Sequence, residues 1–226
     1  MKMKIFLGIP ETGQINTKLA KQLLKVAFDE EIVIHFENSR PVDSTRNKIV
    51  NAFLKTDCTH LAMIDSDMAT FKPLNHALKI LVKEDKPVIS GLAIFPNKYG
   101  INSNCFGMNG QGNYFVNEDE LWNLSREVVE VPFVGTGFIV IKREVVEAVK
   151  EEFGCLFKFE YSKDGLKIAP EDSYFCMLAH RCGFDIFLHK KILTNHFRAM
   201  DLMQVHMQQN RIGIKNFDIS TGEVIV

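Results

Sequence analysis

Apolar positions along this chain change their period repeatedly, and each change marks an element. Lys4 to Ile9 (KIFLGI) is a short continuous apolar run, the mark of a buried strand. Ile15 to Phe28 then carries Leu19, Leu23, Val26 and Ala27 at a helical spacing, and Ile32 to Phe36 reads as a second strand. After the turn-forming Asn38-Ser39-Arg40-Pro41, Asp43 or Ser44 is expected to cap a helix to about Lys55, with Ile49, Val50, Phe53 and Leu54 inward. His60 to Ile64 forms a strand that stops at Asp65-Ser66-Asp67. A helix follows Pro73, and Pro87 to Phe95 makes a further strand. Strands alternating with helices predict an α/β sheet, parallel in its first half, with ligands bound beyond the carboxyl ends of the strands.

The middle is different. Pro96 to Val131 is rich in Asn and Gly, has weak periodicity, and reads as irregular structure with short strands over one end of the sheet. Regularity returns with a strand from Val131 to Ile141, a helix from Arg143 to about Glu152, a helix from Pro170 to Cys182 stopped by Gly183, and a short strand from Asp185 to Leu188. No repeat or low-complexity linker divides the chain. It is expected to be one domain over 1–226, with halves 1–95 and 96–198 and a C-terminal segment 199–226. In that segment Met200, Leu202, Met203, Val205 and Met207 are spaced too closely for a narrow helical stripe. A closing helix, a homodimer contact and a loop over a ligand are all open for it.

Composition narrows the function classes. The 226 residues carry 27 basic and 28 acidic side chains, a net charge of −1, so duplex nucleic acid and anionic lipid are not expected partners. The apolar run at the start is too short for a signal peptide, and nothing approaches the roughly 20 apolar residues of a membrane span. Five cysteines without a CxxC pair predict free thiols and a cytoplasmic protein.

Candidate chemistry lies in the loops after strands. Asp65 and Asp67 follow an apolar strand; in extended backbone, residues two apart point the same way, so both carboxylates can face one ligand. Hard oxygen donors there suit Mg2+ or Mn2+ shared with substrate phosphates. Chance alone yields about 0.6 D-x-D matches in a chain with 12 aspartates, so the context carries the signal. Arg46, expected in the first turn of its helix, opposes the macrodipole and calls for an anion: a ligand phosphate, or else Asp43 or Glu37. Asp172, in Pro170-Glu171-Asp172, is either a favourable helix-opening acid or a general base. Gly135-Thr136-Gly137 interrupts an apolar strand, where glycine marks close approach by a ligand or another backbone, or a bulge. His196 is a candidate third metal ligand that shifts preference towards Mn2+, with Lys190, Lys191 and Arg198 as a basic cluster around it.

Taken in order, Ile9-Pro10, Arg46-Asn47, Met63-Ile64-Asp65-Ser66-Asp67, Val134 to Phe138, Pro170-Glu171-Asp172 and His196 resemble the GT-A fold glycosyltransferases, most closely family-2-like members, over about Lys4 to Arg198. The resemblance implies a Rossmann-like, mostly parallel sheet with a smaller acceptor-side region. It implies a metal site of Asp65, Asp67 and His196, with Asp67 on the metal that bridges the diphosphate. Pro10, Glu37, Arg46, Asp65, Asp67, Gly135, Thr136, Gly137 and Arg198 are then donor-binding residues, and Asp172 is the base of an inverting transfer. The implied donor is a UDP- or GDP-type nucleotide-sugar; the acceptor is an unidentified glycan, lipid or protein hydroxyl. Phe36-Glu37-Asn38 departs from the family's acidic turn at the second strand. Two other readings compete: a nucleotidyltransferase, for which Gly8 to Gln14 lacks the expected density of glycine and cation, and a non-catalytic nucleotide- or sugar-binding protein of the same fold.

Overall fold

The structure, a computed structural model, describes residues 3–11, 13–97, 100–109, 112–115, 125–165 and 167–197, with two short strands at Phe217–Asp218 and Glu223–Val224. Segment 199–226 and Arg198 otherwise lie outside the described residues.

The first half alternates as its pattern predicts, with one short strand, β4, added after the Asp65–Asp67 turn: β1 (Ile5–Pro10), α1 (Thr17–Val26), β2 (Ile32–Glu37), α2 (Val42–Phe53), β3 (His60–Ile64), β4 (Met68–Thr70), α3 (Leu74–Lys83) and β5 (Val88–Asn97). Short strands follow: β6 (Gly100–Ser103), β7 (Cys105–Asn109), β8 (Gly112–Phe115), β9 (Val128–Glu130) and β10 (Phe133–Val134). Then come β11 (Phe138–Lys142), α4 (Arg143–Phe153), β12 (Glu160–Tyr161), β13 (Lys167–Ala169), α5 (Glu171–Arg181) and β14 (Ile186–His196).

The main sheet has the order β2-β1-β3-β11-β5-β14-β4. β1 pairs in parallel with β2 and β3, β14 runs parallel to β5, and β11 lies antiparallel between β3 and β5. Five of these seven strands therefore point the same way. Pro10, Glu37, Ile64 and His196 end four of those five, so the loops beyond them share one edge. β11 runs the other way and starts at that edge, which brings the turn before it against the turn after β3.

Alternation along the strands divides the core. Ile5, Leu7 and Ile9 join Ala62, Ile64 and the inner faces of α1 and α3. Phe6, Leu61 and Met63 join α2, α4 and α5, with Phe53, Phe157 and Phe175 as large buried side chains. A Cβ on Gly8 would lie 2.2 Å from Ile49 Cγ2, so glycine lets α2 sit directly on β1.

Three expectations are corrected. The stretch Val131–Ile141 is not one strand: it breaks into β10 and β11 at Gly135-Thr136-Gly137, because Gly135 N donates to Asn104 O and Gly137 O accepts from Asp65 N. The last strand runs to His196 instead of stopping at Leu188. It absorbs Lys190-Lys191-Ile192 as a register shift between His189, opposite Gly91, and Leu193, opposite Leu92 on β5. Helix α2 is capped by the backbone of Pro41, not by Asp43 or Ser44; Asp43 instead accepts from Ser44 N and Phe159 N. Arg46 consequently sits in the second turn.

All five cysteines are free thiols. Burial pushes Cys105 up to about 12 and Cys176 higher still, so neither is a ready nucleophile at neutral pH. Among the described residues no helix is long and apolar enough to cross a membrane.

Candidate functional site

Residues 65–67 leave β3 as a turn, closed by Met68 N donating to Asp65 O at 3.0 Å. The extended geometry expected from the spacing is therefore absent, and the two carboxylates have different partners. Asp65 Oδ1 accepts from Arg46 Nη2 at 2.8 Å, while Asp67 Oδ2 lies 3.0 Å from His196 Nε2. Strand pairing produces the second contact: β14 lies antiparallel to β4 with His196 opposite Met68, and Phe197 N donates to Asp67 O at 2.7 Å. The Asp67 side chain is 47% exposed and His196 11%.

Arg46 is buried, and its anions are neither Asp43 nor Glu37. Its guanidinium spans Asp65 and Glu171, with Nη1 donating to Glu171 Oε1 at 3.0 Å. Nε has no partner among the described residues. Burial opposes the charge, but Asp65 and Glu171, with Asp172 beyond them, outweigh it and raise the Arg46 pKa. Asn47 ties α2 to the chain after α4: its Oδ1 accepts from Leu156 N and Phe157 N, and its Nδ2 donates to Phe157 O.

The Gly135–Gly137 turn stands between two acids. A Cβ at Gly137 would lie 2.5 Å from Met68 Sδ and 3.2 Å from Asp65 Oδ2; one at Gly135 would lie 3.8 Å from Asp172 Oδ2. Thr136 is buried, and its Oγ1 has no partner among the described residues. Asp172 opens α5, its Oδ1 accepting from Ser173 N. Burial, with the adjacent Glu171 charge adding to it, pushes the Asp172 carboxyl up to about 6, a value suited to accepting a proton near neutral pH.

A cleft of about 820 Å³ opens at this edge, lined by Pro10, Asp65 and Asp67 together with Glu11, Asn16, Ser39, Arg40, Thr45 and Phe197. Asn16 N donates to Ser66 O, fixing the start of α1 to the wall. Glu37 sits under the rim, where it accepts from Ser39 Oγ at 2.9 Å and lies 3.7 Å from Lys48 Nζ. Arg46, Glu37, His196 and Asp172 are not among its lining residues. Glu171 and Asn104 received no role from the sequence. An acid in a helix's first turn is already explained by helix chemistry, which hides Glu171. Asn104, buried and bonded to Ser90, Gly91 and Ala93, carries no pattern in its irregular stretch.

For a divalent cation the donor chemistry of Asp67 and His196 fits, a carboxylate on the cleft wall with an imidazole nitrogen 3.0 Å from its oxygen. Among the described residues no three His, Cys, Asp or Glu side chains converge as a cation site. A cation held there needs its remaining ligands from phosphates and water.

No family model and no curated protein matches this chain. Among solved structures, A197 from STIV is similar over 87% of this chain and 87% of its own, at 22% identity and a TM-score of 0.57. GalNAc-T7, whose crystal structure holds UDP, GalNAc and Mn2+, is similar over 88% of this chain at 11% identity and a TM-score of 0.53. The chain spans 44% of the GalNAc-T7 chain. These likenesses show the fold: a mixed α/β domain with a mostly parallel central sheet flanked by helices, of the GT-A, Rossmann-like kind.

Proposed function

We propose that the protein is a family-2-like, metal-dependent glycosyltransferase that moves a sugar from a UDP- or GDP-type donor to a hydroxyl acceptor with inversion. One observation carries this reading. The Gly135–Gly137 turn has Asp65, at the cleft, against one end and Asp172, with its carboxyl pushed up to about 6, against the other. The fold shared with GalNAc-T7, which binds UDP and Mn2+, supports it.

In this reading Asp67 and His196 hold Mn2+ or Mg2+, with Asp65 beside them. A cation held by these residues would neutralise the charge that develops on the departing diphosphate. Pro10, Asp65 and the cleft beside Ser39 and Thr45 receive the nucleoside, with Glu37 and Arg46 supporting the walls from behind. Gly135, Thr136 and Gly137 border the donor sugar, where a side chain at Gly137 would press on Met68 and Asp65. Arg198, a cation outside the described residues, is assigned to the diphosphate by its place in the sequence alone. Asp172 accepts the proton of the acceptor hydroxyl as its oxygen attacks the anomeric carbon on the side away from the diphosphate. The whole chain acts as one domain, 1–95 serving the donor and 96–198 the acceptor, in a reducing, cytoplasmic setting that suits five free thiols.

The test is release of nucleoside diphosphate from a panel of UDP- and GDP-sugars with and without Mn2+. Metal-dependent release that disappears in Asp172→Asn, with nucleotide binding retained, supports the reading. Release of pyrophosphate from a nucleoside triphosphate instead supports a nucleotidyltransferase.

A further inference from the structure

Helix chemistry accounts for an acid at position 171, but neither it nor the proposed reaction accounts for the contact that Glu171 makes with Arg46. A first-turn acid is stabilised by the helix start whether or not it reaches anything else. Glu171 nevertheless turns inward, its side chain 13% exposed, to meet an Arg46 side chain that is 4% exposed. Burying charges in this way is a poor route to stability, since desolvation offsets most of their attraction. What a guanidinium fork does supply is fixed geometry between two carboxylates. Here the carboxylates belong to the turn after β3 and to the first turn of α5. Asn47, the next residue on α2, fastens the chain at Leu156 and Phe157 that leads through β12 and β13 into α5. Asp172's own bond, from Ser173 N, is local to α5.

We propose that Glu171 is a positioning residue for Asp172: through Arg46 it fixes the first turn of α5, and the Asp172 carboxylate with it, at a set distance from the Asp65 turn that receives the donor. The proposal rests on the reading of Asp172 as the base. The charged and titratable groups that face Asp172 are Glu171 and Cys176 from its own helix and Arg46 from α2. Removing the Glu171 charge therefore takes away the like charge beside Asp172.

The test compares the full-length protein with Glu171→Gln, Arg46→Lys and the double variant. Gln keeps the shape but removes the charge that makes the bond to Arg46 a strong one; Lys keeps the charge but cannot fork between two carboxylates. One readout is the 13C NMR titration of the Asp172 carboxyl, which needs no substrate. The other is kcat and KM for Mn2+-dependent hydrolysis of UDP- and GDP-sugars. In Glu171→Gln the Asp172 carboxyl is expected to titrate at lower pH than in wild type, and kcat to fall about tenfold or more with KM within about threefold. The double variant is expected to lose no more than the worse single variant, as residues acting through one bridge do. Should Arg46→Lys not fold, Glu171→Gln decides alone. An unmoved titration, an unchanged kcat, or additive losses overturn the proposal. A wild type that turns over no donor overturns the transferase reading and the role of Glu171 with it; an active wild type with an unchanged kcat in Glu171→Gln overturns the role of Glu171 alone.

Discussion

The carboxylate of Asp67 and the imidazole of His196 stand 3.0 Å apart although 129 positions separate them. Sheet register is the cause: β14 must run its full length beside β5 and then pair with β4 before His196 reaches Asp67. If the pair holds a cation, His196→Ala is expected to weaken Mn2+ binding to the UDP complex at least about tenfold, the loss common even for residues behind a metal's direct ligands. Calorimetric titration of Mn2+ into protein with excess UDP checks this. Unchanged affinity leaves His196 only the task of closing β14 onto β4.

Asp172 gives the reaction and the stability opposite pH dependence. The carboxyl titrates near 3.8 ordinarily and near 6 in the folded chain. Between those values the folded state binds the extra proton, so stability falls as pH rises through this window and the full cost is present above about pH 6. Asp172→Asn is expected to raise stability at pH 7.5 by up to about 3 kcal/mol, with no gain below pH 4. Turnover, by contrast, is expected to rise through about pH 6 in the wild type, and to drop about 10²- to 10⁴-fold in the variant. Denaturant melts at the two pH values and a pH–rate profile measure both.

Arg46 is expected to matter most for stability. Replacing it by Ala strands Asp65 and Glu171, both partly buried, beside Asp172. Breaking a buried ion pair costs about 3–5 kcal/mol, and at this chain length the melting temperature should fall by roughly 10 °C. A fall of only a degree or two by thermal melting would show that water replaces the guanidinium at little cost.

Gly137→Ala tests the contact between the two turns. The new methyl would meet Met68 Sδ at 2.5 Å and Asp65 Oδ2 at 3.2 Å. Met68 is buried and must repack, and Asp65 must shift while held by Arg46. A loss of about 1–3 kcal/mol is expected, together with weaker UDP binding, because Asp65 lines the cleft. Wild-type stability and binding would show that the turn has room to spare.

What could be read from the chain beforehand follows physical locality. Alternating apolar runs report which face of a strand or helix is buried, so β1, β2, β3, β5, α4 and α5 were legible within a few residues, while the three-residue β4 was too short to show a pattern. The alternation carries no direction for β11, whose antiparallel entry depends on how the chain returns through β6 to β10. The spacing of Asp65 and Asp67 located a site but misjudged its geometry, because Asp65 O closes a turn onto Met68 N. Arg46 announced that it needed an anion. Its partners could not be read, since Glu171 lies 125 positions away and its placement at a helix start already had a local explanation.

The proposed function stands or falls on Asp67, with His196, holding a divalent cation against a nucleotide diphosphate at this sheet edge. The most direct measurement is the melting temperature of wild type and Asp67→Ala with UDP or GDP, in the presence and absence of Mn2+. The nucleotide is expected to stabilise the wild type only when Mn2+ is present, and Asp67→Ala to lose this stabilisation while folding normally. Equal stabilisation of the two proteins, or stabilisation of the wild type without any metal, would contradict it.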